Sequence, residues 1–352
     1  MHDCPAQSSR FSSFVVLFAI LLLVGCGESL HKQQSQVFGT MAEIVISGGT
    51  DDNAQAASNE VLREFDRLHQ MMNAGKPSEL SSLNEAFSKG QSANIGAELT
   101  SILGDATRLS TQSSGSFNPA TGKLVETWGF HADVLKPVTP SADAISALVS
   151  KNPRMTDIVI KGSNASSANA SVQLDLDEYV KGYALDRAIQ LLRARGIKNA
   201  LINIGGNMIA MGEKDTGPWK VGIQHPRQPG PIATLELYDG DSISSLGDYQ
   251  RYYESEGKRY CHIIDPATGY PVQGVQAVTV VTKRGEHAGV LSNVASKPIF
   301  IAGPKGWREA AQRMGVEMAL IVDDKGKVYI TDSLARRIEF RLPKPETIEI
   351  SR

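Results

Sequence analysis

Tyr260-Cys261-His262-Ile263-Ile264-Asp265-Pro266-Ala267-Thr268-Gly269-Tyr270-Pro271-Val272 is the stretch on which the reading of this chain turns. Two branched residues run into Asp-Pro, and a glycine follows the proline by three positions. The proline fixes its own φ, the aspartate bonds nearby main chain, and the glycine supplies the backbone freedom that closes a tight turn. The segment therefore reads as a strand end entering a turn. Such a turn can aim the His262 imidazole, the Asp265 carboxylate and the Thr268 hydroxyl into one small volume. It can equally be a hairpin whose Asp265 and Thr268 serve only their own backbone.

Around this segment the chain is rich in short strands. Apolar runs predict strands over 37–46, 200–204, 208–211, 219–224, 234–238, 242–245, 275–282, 318–322 and 328–330. Helical spacing predicts helices over 54–72, 98–113, 140–151, 183–195, 290–302 and 307–314. Residues 163–171 are small and polar and read as a loop. Gly205-Gly206-Asn207 lies between two strands, whereas the glycines of a dinucleotide-binding Rossmann turn must open a helix. Antiparallel strands with helices packed on them give an α+β class, here with two intimate lobes.

The 352-residue chain carries a formal net charge of −2, and no basic patch or aromatic-interleaved stripe argues for a nucleic-acid partner. Arg10 precedes an apolar run over 14–24, too short to span a bilayer. That run ends in Leu23-Val24-Gly25-Cys26, which resembles the lipobox of bacterial lipoproteins. Residues 1–25 are thus expected to be a signal peptide and Cys26 the lipidated residue. Residues 26–36 read as a flexible tether, 37–338 as the folded domain and 339–352 as a tail. The expected location is the bacterial envelope, on the periplasmic side. Cys4 leaves with the signal and Cys261 remains alone, so no internal disulfide is expected.

Several motifs in order carry a family resemblance. They are Ser116-Phe117-Asn118-Pro119-Ala120-Thr121-Gly122, Lys181-Gly182-Tyr183, Asn203-Ile204-Gly205-Gly206-Asn207, the segment from Tyr260 to Val272, and the alanine- and serine-rich run after Val290. In this order and spacing the chain resembles the ApbE family, the FAD:protein FMN transferases, from about Phe38 to the strand at Val328. The resemblance implies FAD as substrate, magnesium as cofactor, and an acceptor flavoprotein as partner. A Ser or Thr hydroxyl of the acceptor attacks the FMN phosphorus and AMP leaves; some relatives hydrolyse FAD instead. It further implies that Phe38, Ser116, Phe117, Asn118, Asp175, Lys181 and Ile264 hold FAD. His262 is the candidate for proton handling.

The chain departs from the family where the metal should sit. The family's Ala-Asp-Ala-x-Ser/Ala-Thr-Ala run is Ser292-Asn293-Val294-Ala295-Ser296-Lys297-Pro298 here. Glu178, Asn293, Ser296 and Lys297 occupy the family's metal positions, but an amide and an ammonium are poor substitutes for anionic oxygen around a hard ion. The residues before Lys181 are Asp177-Glu178-Tyr179-Val180, Ser245-Leu246-Gly247 replaces Thr-Ser-Gly, and Gly75 stands where an aromatic wall is usual. Two readings stay open. Either Lys297 takes the metal's place as a catalytic cation, with Asp177 or Glu178 balancing its charge, or the protein binds flavin without turnover. Pro298 also allows a helix to begin at that point, which would leave Lys297 solvated before it.

Overall fold

The computed structural model describes residues 30–132, 134–214 and 217–351. Its centre is a nine-stranded sheet whose spatial order follows the chain. The strands are Leu30–Val37, Thr40–Ser47, Asn199–Ile204, Asn207–Met211, Ser242–Gly247, Val275–Thr282, Met318–Asp323, Val328–Thr331 and Ile348–Ser351. Neighbours are antiparallel except the last pair, which is parallel. Val275–Thr282 is buried along its whole length, as its run of valines and threonines requires of a central strand.

Period-two alternation divides the sheet's side chains between two cores. Ile44, Ile202, Val278, Val280 and Ile321 face one core, shared with helices α1 (Asp51–Met72), α2 (Glu79–Ser88) and α3 (Ala97–Gln112). Ile243, Val281, Leu320, Val322 and Ile330 face the other, closed by Trp219, Val221, Leu235 and Leu237 of a second sheet of three strands. Fully burying one such branched side chain contributes about 1.5–3 kcal/mol, so both faces are strongly held. The α+β class and the two intimate lobes are thus two cores sharing one sheet. Short helices α4 (Gly122–Thr127) and α5 (Ala142–Ser150) pack over a third cluster of Leu124, Trp128, Phe130, Ile145, Tyr253 and Ile264.

The long helices α6 (Asp177–Ala194) and α7 (Ala288–Arg313) cross in the first core. They touch backbone to backbone: a Cβ on Gly182 would lie 2.4 Å from the Gly289 carbonyl oxygen, and one on Gly289 would lie 2.4 Å from that of Gly182. Asp186 of α6 accepts the N–H groups of Gly289 and Val290 at 2.8 and 2.9 Å, satisfying free donors in the first turn of α7.

Several expectations change. Residues 37–46 are not one strand, because Phe38 and Gly39 form a left-handed turn (φ 52° and 69°) joining two strands. Residues 30–36 of the expected tether form the first strand, paired with Thr40–Ser47. The expected tail is part of the fold: Ile338–Phe340 pairs with Pro231–Leu237, and Ile348–Ser351 completes the main sheet. Both segments alternate but are too short, at three and four residues, for alternation to reveal a strand. The loop at 163–171 contains the strand Asn164–Ser167. Helix α6 begins at Asp177 and not at Tyr183, and its first turns include Gly182, which the α7 crossing requires. Helix α7 runs through Pro298 and turns at Gly303 (φ 60°), so Lys297 lies inside a buried helix and not in solvent before one. The signal segment, Cys26 and the start of the tether lie outside the described residues.

Candidate active site

A cavity of about 540 Å³ opens at one end of the main sheet. Two hairpin turns form its floor, because an antiparallel sheet that follows chain order returns alternate turns to the same end. One is Phe38–Gly39; the other is Gly205–Gly206, where the Gly205 N–H donates to the Met41 carbonyl at 3.1 Å. The Phe38 ring packs against Phe65 and edge-on to His69, with centroids 6.1 and 5.6 Å apart, which fixes it as a wall of the cavity. Phe130 and Tyr249 add further aromatic surface.

The loop after α3 supplies another wall. Ser113 Oγ accepts the Phe117 N–H at 3.1 Å. Asn118 spends its amide tying the loop down, donating to the Pro153 carbonyl beyond α5 at 2.9 Å and accepting from the Ala120 N–H at 3.2 Å. Phe117 and Asn118 line the cavity as expected; Ser116 does not. It sits one residue back in the turn, where its N–H bonds the Ser113 carbonyl.

Charged groups gather where α6 begins. Asp175 Oδ1 accepts the Asp177 N–H at 2.9 Å, and Asp175 Oδ2 lies 2.9 Å from His131 Nε2. Burial disfavours the Asp175 anion, but the His131 contact outweighs it and the carboxyl stays below the ordinary range. Burial likewise works against the His131 imidazolium, and Asp175 raises it overall. Asp177 is exposed at the cavity, and partial loss of solvent there together with the Asp175 carboxylate beside it raises its carboxyl above the ordinary range. Lys181, Arg251 and Lys297 bring three cations to the same cavity.

His262 is the one member of the sequence triplet that reaches the site. Its Nδ1 lies 3.3 Å from the Arg251 carbonyl, so that nitrogen carries the hydrogen and donates it. The other nitrogen is left with a lone pair. Burial, followed by the nearby Lys181, Lys297 and Arg251 charges, pushes the imidazole down to about 3. At neutral pH it is uncharged. Asp265 and Thr268 serve their own backbone, accepting from the Ala267 and Tyr270 N–H groups. Gly269 (φ 74°) closes the turn, and its carbonyl takes the Trp128 Nε1–H at 2.8 Å. Ile264 belongs to the third cluster and not to the cavity, because the strand ends at Cys261 and the bend at His262 breaks the alternation that would place both residues on one side.

The positions expected to hold magnesium do not fit a divalent ion. Lys297 Nζ stands 2.9 Å from Glu178 Oε2, so the one carboxylate among them is already paired with a cation. Asn293 Oδ1 accepts the Gly182 N–H at 3.1 Å, and Ser296 Oγ donates to the Asn293 carbonyl at 2.6 Å. Among the described residues, no group of three or more His, Cys, Asp or Glu side chains is placed to hold a metal. Cys261 is buried and unpaired, and burial pushes its thiol up to about 12.

Tyr249 and Arg251 went unforeseen in the sequence. The ring of Tyr249 packs on Gly247, and Arg251 Nη2 donates to the Phe130 and Ala132 carbonyls at 2.7 and 3.0 Å. An aromatic and a cation straight after a strand that ends in glycine were the available signal.

With this geometry the chain belongs to the ApbE family, whose sequence profile matches residues 38–320. It is 37% identical over 303 residues to a FAD:protein FMN transferase of Rhodobacter capsulatus, covering 86% of this chain. The chain spans 57% of the length of that relative. It is 30% identical to the FAD:protein FMN transferase of Vibrio cholerae, covering 91% of this chain and 96% of the relative. Among solved structures, the ApbE protein of Thermotoga maritima matches with a TM-score of 0.80 at 26% identity, covering 88% and 99% of the two chains. The apo flavinyl transferase ApbE of Pseudomonas stutzeri matches with a TM-score of 0.75 at 25% identity, covering 88% and 97%.

Proposed function

We infer that the protein is a FAD:protein FMN transferase. The observation that carries this is one cavity holding aromatic walls, three cations and a neutral imidazole together. FAD needs an apolar slot for its ring systems and positive charge at its pyrophosphate, and Phe38, Phe130 and Tyr249 with Lys181 and Arg251 supply both. The acceptor's Ser or Thr oxygen bonds to the FMN phosphorus as the bond to the AMP oxygen breaks. The hydroxyl proton passes to the free nitrogen of His262, and the electron pair leaves on AMP. Lys181 and Arg251 offset the FAD charge, which raises the basicity of His262 from its low resting value. Phe117 and Asn118 bound the slot, and Asp175 orders the start of α6. The neutral histidine favours transfer over passive flavin binding, because a protonated one could not accept the proton.

The test is incubation with FAD and a flavinylated acceptor domain, followed by in-gel flavin fluorescence and AMP measurement. Fluorescent acceptor with matching AMP supports transfer. AMP without labelled acceptor assigns FAD hydrolysis instead, and neither product sinks the assignment. The chain is also proposed to be exported and anchored by lipid at Cys26 on the periplasmic side of the envelope. The apolar run over 14–24 and the Gly25-Cys26 junction support this. Loss of lipid labelling and of membrane fractionation in Cys26→Ala is the expected result; unchanged fractionation would remove the anchor.

A further inference from the structure

The pair formed by Lys297 and Glu178 is placed oddly for a structural salt bridge. Lys297 lies midway along α7 with its side chain 8% exposed, and Glu178 lies in the first turn of α6 with its side chain 23% exposed. Lysine is rarely so buried without a partner. Here the pair does not face apolar core; both residues line the cavity. An ammonium has three hydrogens to donate, and Glu178 Oε2 forms an ion pair with it at 2.9 Å that takes up at most one of them. The others remain for a ligand. The neighbouring oxygens point elsewhere, since Asn293 Oδ1 is held by the Gly182 N–H and Ser296 Oγ by the Asn293 carbonyl.

We propose that Lys297, clamped by Glu178, is the fixed cation that receives the FAD pyrophosphate, and that flavin dinucleotide binding by this chain needs no divalent metal. This rests on reading the cavity as the FAD site. Magnesium prefers near-octahedral oxygen coordination at about 2.0–2.1 Å, and here the one carboxylate is paired with an ammonium while the Asn293 and Ser296 oxygens are committed to backbone. Glu178 holds the Lys297 side chain in place at the cavity. As the phosphorus–oxygen bond to AMP breaks, the new charge on the AMP phosphate is met by the Lys297 N–H groups. No further reactant is required, because the proton leaves the acceptor hydroxyl for His262 and the electron pair leaves on AMP.

The experiment measures FAD affinity by flavin fluorescence anisotropy on the purified full chain, in EDTA and in excess magnesium, with AMP release in parallel. Wild-type affinity is expected to agree within about twofold in the two conditions. Lys297→Met is expected to weaken FAD binding by about tenfold or more in both, the loss typical of a charge-assisted phosphate contact. The double variant Asn293→Asp with Lys297→Thr is expected to bind FAD in magnesium and lose it in EDTA. If wild-type binding collapses in EDTA and returns with magnesium, the proposal falls while the FAD assignment stands. Unchanged affinity in folded Lys297→Met also overturns it. Failure to bind FAD in any ionic condition removes the functional assignment itself. Should Lys297→Met not fold, the wild-type comparison still decides.

Discussion

Gly182→Ala adds one methyl group at the crossing of α6 and α7. Its Cβ would stand 2.4 Å from the Gly289 carbonyl oxygen, 2.7 Å from the Gly289 carbonyl carbon and 2.7 Å from Val290 Cα. All three atoms are backbone, so no rotamer relieves the clash, and the helices must separate by about 1 Å to reach ordinary contact. In an exposed helix the same change would stabilise by about 1 kcal/mol through helix propensity. Overpacking against backbone belongs at the upper end of the usual range, about 3 kcal/mol. The clash therefore wins by about 2 kcal/mol, which at about 2.1 cal/mol/K of unfolding entropy per residue lowers Tm by about 3 °C in a chain of 352 residues. The separation also pulls Asn293 from the Gly182 N–H and Lys297 from Glu178, so FAD affinity falls with stability. Gly104→Ala is the control, because a Cβ added at that helical glycine meets nothing within 4 Å and should raise Tm slightly. Calorimetry and FAD anisotropy read both effects. A Gly182→Ala protein that melts no lower than wild type would refute the tight crossing and the placement of Lys297 that follows from it.

His262→Ala should lower FMN transfer by about 10²–10⁴-fold, the usual worth of a general base, while FAD still binds; transfer at the wild-type rate would remove it from proton handling. Its folded pKa of about 3 lies below the ordinary 6.5, so its stability contribution is present above 6.5 and is lost as pH falls through 6.5 toward 3. His262→Gln should flatten that acid limb of the Tm profile, and an unchanged limb would contradict the buried neutral ring. His131 has the opposite sign: its pKa is raised by Asp175, so its contribution is full below 6.5 and fades as pH rises through its higher folded value. Histidine NMR titration should place His131 above 6.5, and a value below it would break the pair with Asp175. Trp128→Phe leaves the Gly269 carbonyl without the indole donor and should cost about 1–3 kcal/mol, read as a lowered Tm; no change would mean that water replaces the bond.

The residues differ in how visible they were in the chain. His262 and the turn at Asp265–Gly269 were legible because Asp-Pro and glycine impose local geometry. That His262 faces the cavity while Ile264 faces the third cluster depends on the bend after the strand end at Cys261, which local sequence does not place. The first strand, Leu30–Val37, escaped because its polar edge alternates weakly and only its pairing with Thr40–Ser47 makes it a strand. Helical spacing starts α6 only at Tyr183, six residues after its true start at Asp177, and Pro298 reads as a place where a helix could begin. Propensity weighs such residues singly, and the packing of the two helices overrides it.

Unaided, the amino-acid order determined what is local: the α+β class, most of the strands and helices, and the Gly205–Gly206 turn at the cavity floor. Periodicity and turn chemistry act over a few residues, so they survive without a fold. The partnership of Glu178 with Lys297, the neutrality of His262 and the gathering of Lys181 and Arg251 beside them were settled only in three dimensions. Those properties depend on distance and solvent exclusion between segments far apart in the chain, and folding alone sets both.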